Sequence, residues 1–140
     1  MKAVIDTNVL IYDTFEDSVF HKQARSLLDM LEEWVIPLIV IYEYVWFMKG
    51  LEIDLKSAVE KTKEYILQPK SNILAEGVSD LVKTLDFLLS EDLSLSRFND
   101  KVILSTALKV GSIVTFDGKL REQALKKGLA ILPHRMMPTA

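Results

Sequence analysis

Short apolar segments alternate with longer segments of helical periodicity along the chain. The short segments are rich in β-branched residues, which is typical of strands buried on both faces of a sheet. We predict such strands at residues 2–6, 34–36, 72–75, 112–116 and 129–132.

The longer segments predict helices. Residues 18–33 place apolar side chains at helical spacing, with Ser18 as the expected N-cap. A more apolar helix is predicted after Pro37, ended by Gly50. Further helices are predicted at residues 55–68, 80–89, 100–110 and 119–127. Residues 90–97 are predicted to form the loop before helix 100–110, and Gly128 is the expected C-cap of helix 119–127.

This alternation predicts an α/β fold, because strands separated by helices form a mostly parallel sheet covered on both faces. We expect a three-layer α/β/α architecture with a central, mostly parallel sheet of about five strands. The chain has 140 residues, the size of one domain, so residues 1–140 are predicted to form a single domain. Ligands of such folds bind beyond the carboxyl ends of the strands.

The composition argues against membrane-spanning, secreted and cysteine-dependent proteins. With 49% hydrophobic and 26% charged residues, the chain has the composition of a soluble globular protein. Its longest uncharged apolar stretch, residues 34–42, is much shorter than the roughly 20 residues of a membrane span, and no signal peptide is apparent, so we expect a cytoplasmic protein. The absence of cysteine excludes disulfides, thiolate metal ligands and a cysteine nucleophile.

The net charge of −3 argues against a broad basic surface for nucleic acid. A local site could still bind nucleic acid. If four of the 20 acidic residues bound metal, the remaining side chains would carry a balance of +1, and the bound cations would add positive charge toward a phosphate.

Four acidic residues stand in positions that suggest chemistry. Asp6 ends the first predicted strand and Asp117 the fourth, so the two would converge if these strands were neighbours. Glu43 interrupts a long apolar run, where an unpaired buried carboxylate would be costly. Each also has a structural interpretation: Asp6 and Asp100 as helix caps, Glu43 on a solvated stripe, and Asp117 in an Asp-Gly turn.

Together these residues lie in four segments: VIDTNVLIY at residues 4–12, PLIVIYE at 37–43, NDKVILSTAL at 99–108 and VTFD at 114–117. In their content, order and spacing the chain resembles the PIN-domain family over essentially its whole length. It is similar in particular to the small toxin nucleases of bacterial and archaeal toxin–antitoxin pairs.

The resemblance implies one acidic pocket lined by Asp6, Glu43, Asp100 and Asp117, with Asn8 and Thr115 in support. Clustered carboxylates repel one another unless a cation compensates them, and oxygen ligands suit Mg²⁺ or Mn²⁺ better than zinc. The implied activity is hydrolysis of RNA phosphodiester bonds that leaves a 5′-phosphate. The implied partners are the RNA substrate, a cognate antitoxin protein and a second copy of the chain.

Two other functions remain open. A phosphohydrolase could use Asp6 as a covalent nucleophile, but the haloacid-dehalogenase pattern requires a second acid where this chain has Asn8. A catalytically silent module could use the same acids to bind metal or RNA.

Several further residues have alternative roles. Asp13 is a possible fifth acid, with a role at a helix end or turn favoured. Lys101 departs from the small or apolar residue usual in relatives and could alter metal affinity. Tyr44, Trp46 and Phe47 either fill the core or form an interface. Scattered basic residues near the acidic segments could steer phosphate, although solvated lysines and arginines are the default expectation: Lys49, Arg97, Lys101, Lys119 and Arg121.

Overall fold

The computed structural model describes residues 1–138, which contain one five-stranded parallel sheet in the order β3-β2-β1-β4-β5. The strands are β1 (Lys2–Ile5), β2 (Glu33–Pro37), β3 (Ser71–Leu74), β4 (Ser112–Val114) and β5 (Ala130–Leu132). The helices are α1 (Thr7–Thr14), α2 (His21–Met30), α3 (Leu38–Gly50), α4 (Leu55–Leu67), α5 (Val78–Ser90), α6 (Phe98–Val110) and α7 (Gly118–Lys126). The predicted α/β class with a five-stranded parallel sheet is confirmed.

The centre of the sheet is its most apolar part. Strands β1 and β4 pair with Val4 opposite Ile113 and Ile5 opposite Val114, and all four side chains are fully buried. Both faces of this pair are therefore covered by helices, as a parallel sheet requires. The edge strand β3 alternates between half-buried and exposed positions instead.

The connections change direction between β1 and β4. The chain moves from β1 to β2 and β3 on one side, and from β4 to β5 on the other. Right-handed crossovers then place α1 to α4 on one face of the sheet and α7 on the opposite face. A crevice opens at such a switch point, beyond the carboxyl ends of the two central strands.

Helix α2 is shorter than its sequence pattern predicts. It begins at His21, and Ser18 is not its N-cap; the Ser18 hydroxyl donates instead to the carbonyls of Tyr12 and Phe15 in the preceding turn. It ends at Met30, because β2 already begins at Glu33. The predicted apolar stripe is correct, since Ala24, Leu27 and Leu28 face the core.

Within residues 1–138 four helices end at a left-handed residue, and in three of them the next amide also donates back across the last turn, the arrangement known as a Schellman motif. Gly128 supplies that residue after α7, as predicted. After α3 the left-handed residue is Glu52 (φ 56°), and the Ile53 amide donates to the Met48 carbonyl at 3.2 Å. Gly50 therefore lies inside the helix rather than beyond its end. Asp92 does the same after α5.

Residues 90–97, predicted to be a loop, include a single 3₁₀ turn at Leu95–Arg97 that leads directly into α6. Within residues 1–138, no helix combines the length and the apolar character needed to cross a bilayer.

Candidate metal and catalytic site

Asp6 and Asp117 lie at the same edge of the sheet, at the switch point. Asp6 follows β1 and caps α1, and its backbone amide continues the ladder by donating to the Val114 carbonyl at 3.1 Å. Asp117 follows β4 by three residues and caps α7, where its Oδ1 accepts from the amides of Lys119 and Leu120. The two strands are thus neighbours, as the convergence of the acids requires. Asp6 also fills the helix-cap position of its structural interpretation, whereas Asp117, interpreted as part of an Asp-Gly turn, is the N-cap of α7.

Asp6 is buried, with 6% of its surface exposed. Its Oδ1 accepts from the Thr7 amide at 2.7 Å and its Oδ2 from the Thr115 hydroxyl at 2.6 Å. Within residues 1–138 no lysine or arginine forms an ion pair with it. Burial raises the pKa of Asp6 from 3.8 to about 7, against the two hydrogen bonds that lower it. The charges of Asp100 and Glu43 add to the rise.

Glu43 is half-buried on α3, and both of its carboxylate oxygens are engaged. The Thr7 hydroxyl donates to Oε1 at 2.5 Å, and the Asn99 side-chain amide donates to Oε2 at 3.1 Å. Glu43 therefore does not lie on a free solvated stripe of the helix. It is held between α1 and the start of α6.

Asp100 lies in the first turn of α6, two residues after the helix begins at Phe98. Its Oδ2 is 3.3 Å from Arg97 Nη1. Burial raises the pKa of Asp100, as do the nearby charges of Asp117 and Glu43, whereas the Arg97 guanidinium opposes the rise. The charges of two other acids of the predicted set thus affect the pKa of Asp100.

Two threonines connect the acids through hydrogen bonds. Thr115 is fully buried; its hydroxyl donates to Asp6 and accepts from the Asp117 amide at 3.1 Å. Thr7 binds Asp6 through its amide and Glu43 through its hydroxyl. A continuous chain of hydrogen bonds therefore runs from Asp117 to Glu43.

Asn8 has a different role from the two threonines. Its Oδ1 accepts from the Phe116 amide at 3.2 Å and so ties the first turn of α1 to the segment after β4.

All four predicted acids, together with Asn8, line one cavity of about 430 Å³. Thr7 and Asn99 also belong to the site; both fall inside the motif segments, but their residue types alone did not predict this. The aromatic side chains of α3 in the lining were not predicted there either. The full lining is Asp6, Thr7, Asn8, Ile11, Glu43, Trp46, Phe47, Asn99, Asp100 and Asp117.

The cavity offers a hard, anionic donor set to a metal ion. In the described part of the chain, no three acidic, histidine or cysteine side chains come close enough to form a preformed metal centre. The chemistry of the donors nevertheless fits a divalent cation, because all four predicted ligands are carboxylates and two have pKa values raised by burial and mutual repulsion. A cation would relieve both effects.

Most of the other candidate residues have structural partners. Asp13 is buried on the last turn of α1, where it pairs with Arg25 and accepts a hydrogen bond from Tyr65. Lys101 is buried, and its Nζ binds Glu91 Oε2 at 2.5 Å, so it does not line the acidic cavity. Arg121 donates to the carbonyls of Thr115 and Pro133.

The three aromatic residues beside Glu43 divide between core and surface. Tyr44 is fully buried, whereas Trp46 and Phe47 are exposed in the wall of the acidic cavity. Lys49 lies over the Trp46 ring, with Nζ 4.2 Å from its centroid. The core interpretation is thus correct for Tyr44, and the interface interpretation stays a prediction for the exposed Trp46 and Phe47.

Comparisons with known proteins identify the fold and the family of the chain. No curated protein matches the sequence. Among solved structures, VapC20 of Mycobacterium tuberculosis, a sarcin-ricin loop cleaving toxin, is similar with a TM-score of 0.75 at 14% identity. The match covers 86% of this chain and 94% of that one.

Two further structures are similar over most of their length. VapBC2 from Rickettsia felis, solved with a DNA fragment from its promoter, gives a TM-score of 0.68 at 17% identity, covering 94% of this chain and 97% of that one. A toxin–antitoxin complex from Klebsiella pneumoniae gives 0.57 at 22% identity, covering 84% and 88%. The fold is therefore that of VapC toxins. Since the family model described as the PIN domain matches residues 3–126, the chain belongs to the PIN-domain family.

Proposed function

We propose that this protein is a divalent-metal-dependent endoribonuclease, the toxin of a toxin–antitoxin pair, in which Asp6, Glu43, Asp100 and Asp117 hold Mg²⁺ or Mn²⁺. The observation that carries the proposal is the buried carboxylate of Asp6, which shares a cavity with three other acids and has no cationic partner among residues 1–138. A buried charge without a partner is costly, so it favours a site that a cation completes.

The hydrogen bonds around the acids support a catalytic role. When bound, the metal would polarise a phosphate oxygen and lower the pKa of the attacking water. The chain itself supplies orientation: Thr115 and the Thr7 amide fix the Asp6 carboxylate, while Thr7 and Asn99 fix Glu43. Partners of this kind reduce the motion of ligands and are characteristic of metal sites.

The Arg97 guanidinium pairs with Asp100 and so places one positive charge next to the cavity. A phosphate that entered the site would compete with Asp100 for this group, because guanidinium binds both anions in the same forked geometry. Arg97 is therefore the basic residue that we assign to the substrate phosphate.

The aspartate-nucleophile alternative is less well supported. The haloacid-dehalogenase pattern requires a second acid two residues after the nucleophile, where this chain has Asn8, and the Asn8 Oδ1 accepts a hydrogen bond from the Phe116 amide. A catalytically silent metal- or RNA-binding module shares the same cavity, and only an activity measurement separates it from the nuclease.

An antitoxin partner is supported by a second surface. An apolar groove of about 220 Å³ runs between α3 and α4, lined by Val45, Leu55, Ala58 and Val59. Exposed apolar grooves of this kind bind protein segments. A homodimer is supported by the exposed apolar side chains of α5, such as Val82 and Leu85.

Cleavage of structured RNA with added Mg²⁺ or Mn²⁺ tests the proposal. We compare the wild type with Asp6→Asn, Glu43→Gln, Asp100→Asn and Asp117→Asn, and with Asp86→Asn as a control on the exposed face of α5. Each of the four site variants should lose at least about 100-fold in kcat/KM, because each removes one anionic ligand. The control should keep wild-type activity. Equal cleavage by all variants would contradict the ribonuclease assignment.

A further inference from the structure

The wall of the acidic cavity contains an aromatic side chain that the core does not require. Trp46 is 69% exposed, and it follows Glu43 on α3 by three residues, which places the two side chains side by side on the helix surface. The second tryptophan, Trp34, is buried and its Nε1 donates to the Leu28 carbonyl. Trp46 is thus free to contact a molecule that enters the cavity.

The surroundings of Trp46 match the two parts of a nucleotide. The indole offers a flat surface on which a base can stack, and the Lys49 ammonium over the ring offers a positive charge for a phosphate. A base is joined to its phosphate by a single sugar. A nucleotide whose phosphate lies among the carboxylates therefore has its base within the same cavity, whose volume of about 430 Å³ is suitable for a small molecule.

The position of Trp46 favours RNA over a protein segment as its occupant. Trp46 lines the acidic cavity, whereas the apolar groove between α3 and α4 is lined from the same helix by Val45 and does not include Trp46. A protein segment bound in that groove would find its apolar contacts there. The acidic cavity instead combines an exposed ring with oxygen ligands, and a cationic side chain lies beside each of two lining residues: Lys49 over the Trp46 ring and Arg97 next to Asp100.

We propose that Trp46 stacks on an unpaired base next to the scissile phosphate, with Lys49 against the adjoining phosphate, so that the enzyme selects single-stranded or loop nucleotides. This inference rests on the proposed ribonuclease function. Stacking on an aromatic ring requires a base that is not paired within a duplex, and it tolerates any base identity. Trp46 would therefore select RNA shape rather than sequence.

The test uses a short single-stranded RNA whose cleavage site has been mapped with the wild type, and the same RNA with an abasic nucleotide on either side of the cut. On the intact RNA, Trp46→Ala should lower kcat/KM by about tenfold, mainly through KM. Trp46→Phe should restore most of the loss. On the RNA that lacks the stacked base, Trp46→Ala and wild type should be equal.

Tyr42→Ala is the matched control, because Tyr42 is a 63% exposed aromatic residue of the same helix that does not line the cavity. It should cleave both RNAs as the wild type does. Equal kcat/KM for Trp46→Ala and wild type on the intact RNA would overturn the stacking proposal while leaving the ribonuclease proposal intact, and would favour a protein as the occupant.

A binding measurement tests the stacking proposal independently of RNA cleavage. Titration of the protein with the same RNAs in Mg²⁺, recorded by stopped flow before cleavage proceeds, should quench Trp46 fluorescence, and the abasic RNA should quench it less; Trp46→Phe reports the constant signal of buried Trp34. Quenching without any later cleavage would support stacking and contradict the nuclease. Absence of quenching together with an unaffected Trp46→Ala variant would overturn the stacking proposal.

Discussion

Asp6 and Asp13 lie at the two ends of helix α1 and are equally buried, each with 6% of its surface exposed, yet their surroundings differ. Asp13 pairs with Arg25 Nε at 2.5 Å and accepts from the Tyr65 hydroxyl at 2.6 Å. Within residues 1–138, Asp6 has only an amide and a hydroxyl as partners. The described residues thus supply a cation to one buried carboxylate and none to the other.

The difference separates a structural acid, Asp13, from the acid that we propose to bind metal, Asp6. The hydrogen bond and the charge of Asp13 raise the pKa of Arg25, so the ion pair stabilises the charged form of Arg25. The pKa of Asp6 rises to about 7 because burial is not offset by a positive charge. Buried ion pairs are costly to break, whereas a buried lone carboxylate is costly to keep ionised. We therefore expect the stability of the protein to depend oppositely on the two residues.

The largest expected effect is a pH-dependent gain in stability of Asp6→Asn over the wild type without metal. Between pH 4 and 7 the unfolded chain has released the Asp6 proton while the folded chain keeps it, so the free energy of unfolding falls as pH rises. The rise in pKa from 3.8 to about 7 corresponds to about 4 kcal/mol. Urea unfolding of both proteins in EDTA from pH 4 to 8 measures the difference.

This difference should grow from pH 4 to 7 and stay constant above pH 7. Comparison with the variant cancels the opposite effect of Asp80 and Glu91, whose pKa values are lowered by their lysine partners and whose stabilisation is lost as pH falls. A difference independent of pH would mean that Asp6 is ionised in the folded protein without a cation.

The second effect is the response of stability to Mn²⁺ alone. At a concentration 100 times its Kd, the metal should raise the free energy of unfolding of the wild type by about 2.7 kcal/mol at pH 7. Asp6→Asn should lose most of this gain because it lacks the anionic ligand, although it is the more stable protein in EDTA. An equal gain in both proteins would place the metal away from Asp6.

The fold was predictable because its signals are local. The apolar segments of the five strands and the stripe of α2 follow from residue spacing alone. The prediction of Ser18 as an N-cap was wrong because a serine near a helix start can also bind carbonyls of the preceding turn. The prediction that Gly50 lies beyond the end of α3 was wrong because Glu52 adopts the left-handed conformation two residues later. Which residue caps a helix and which residue ends it depend on the detailed backbone geometry at the helix end.

The candidate site was predictable only in part. Asp6 and Asp117 follow strands, so the edge at which they lie is dictated by the sequence pattern, but the pairing of β1 with β4 is a tertiary property. The contacts of Glu43 with Thr7 and Asn99 join residues 36 and 56 positions apart, which no local pattern encodes. For the same reason, the ion pair of Asp13 with Arg25 was missed.

A third, smaller effect comes from the Asp13 region. Tyr65→Phe removes the hydroxyl that donates to Asp13 and leaves a buried carboxylate oxygen without that donor, which should lower the free energy of unfolding by about 2 kcal/mol. Tyr44→Phe is the control, because the hydroxyl of Tyr44 contacts only the Thr14 hydroxyl within residues 1–138, and it should cost about 1 kcal/mol. Denaturant unfolding measures both.

Neither tyrosine variant should change the Mn²⁺ response or RNA cleavage, since neither residue lines the acidic cavity. Loss of metal binding in Tyr65→Phe would show that the two ends of α1 are coupled. The distinction between a structural Asp13 and a metal-binding Asp6 would then be wrong.

The smallest effect is expected for Thr115→Val, which keeps the size of the side chain and removes the hydroxyl that links Asp6 to Asp117. Without this donor the Asp6 carboxylate is oriented by the Thr7 amide alone, so Mn²⁺ affinity should fall by about tenfold. Thr106→Val is the matched control: Thr106 is also buried, but its hydroxyl donates at 3.4 Å to a carbonyl of its own helix. Isothermal titration with Mn²⁺ compares the two. Equal losses would reveal a general effect of buried hydroxyls, whereas a loss confined to Thr115→Val would show that the uncompensated charge of Asp6 is aimed at the metal by its hydrogen bonds.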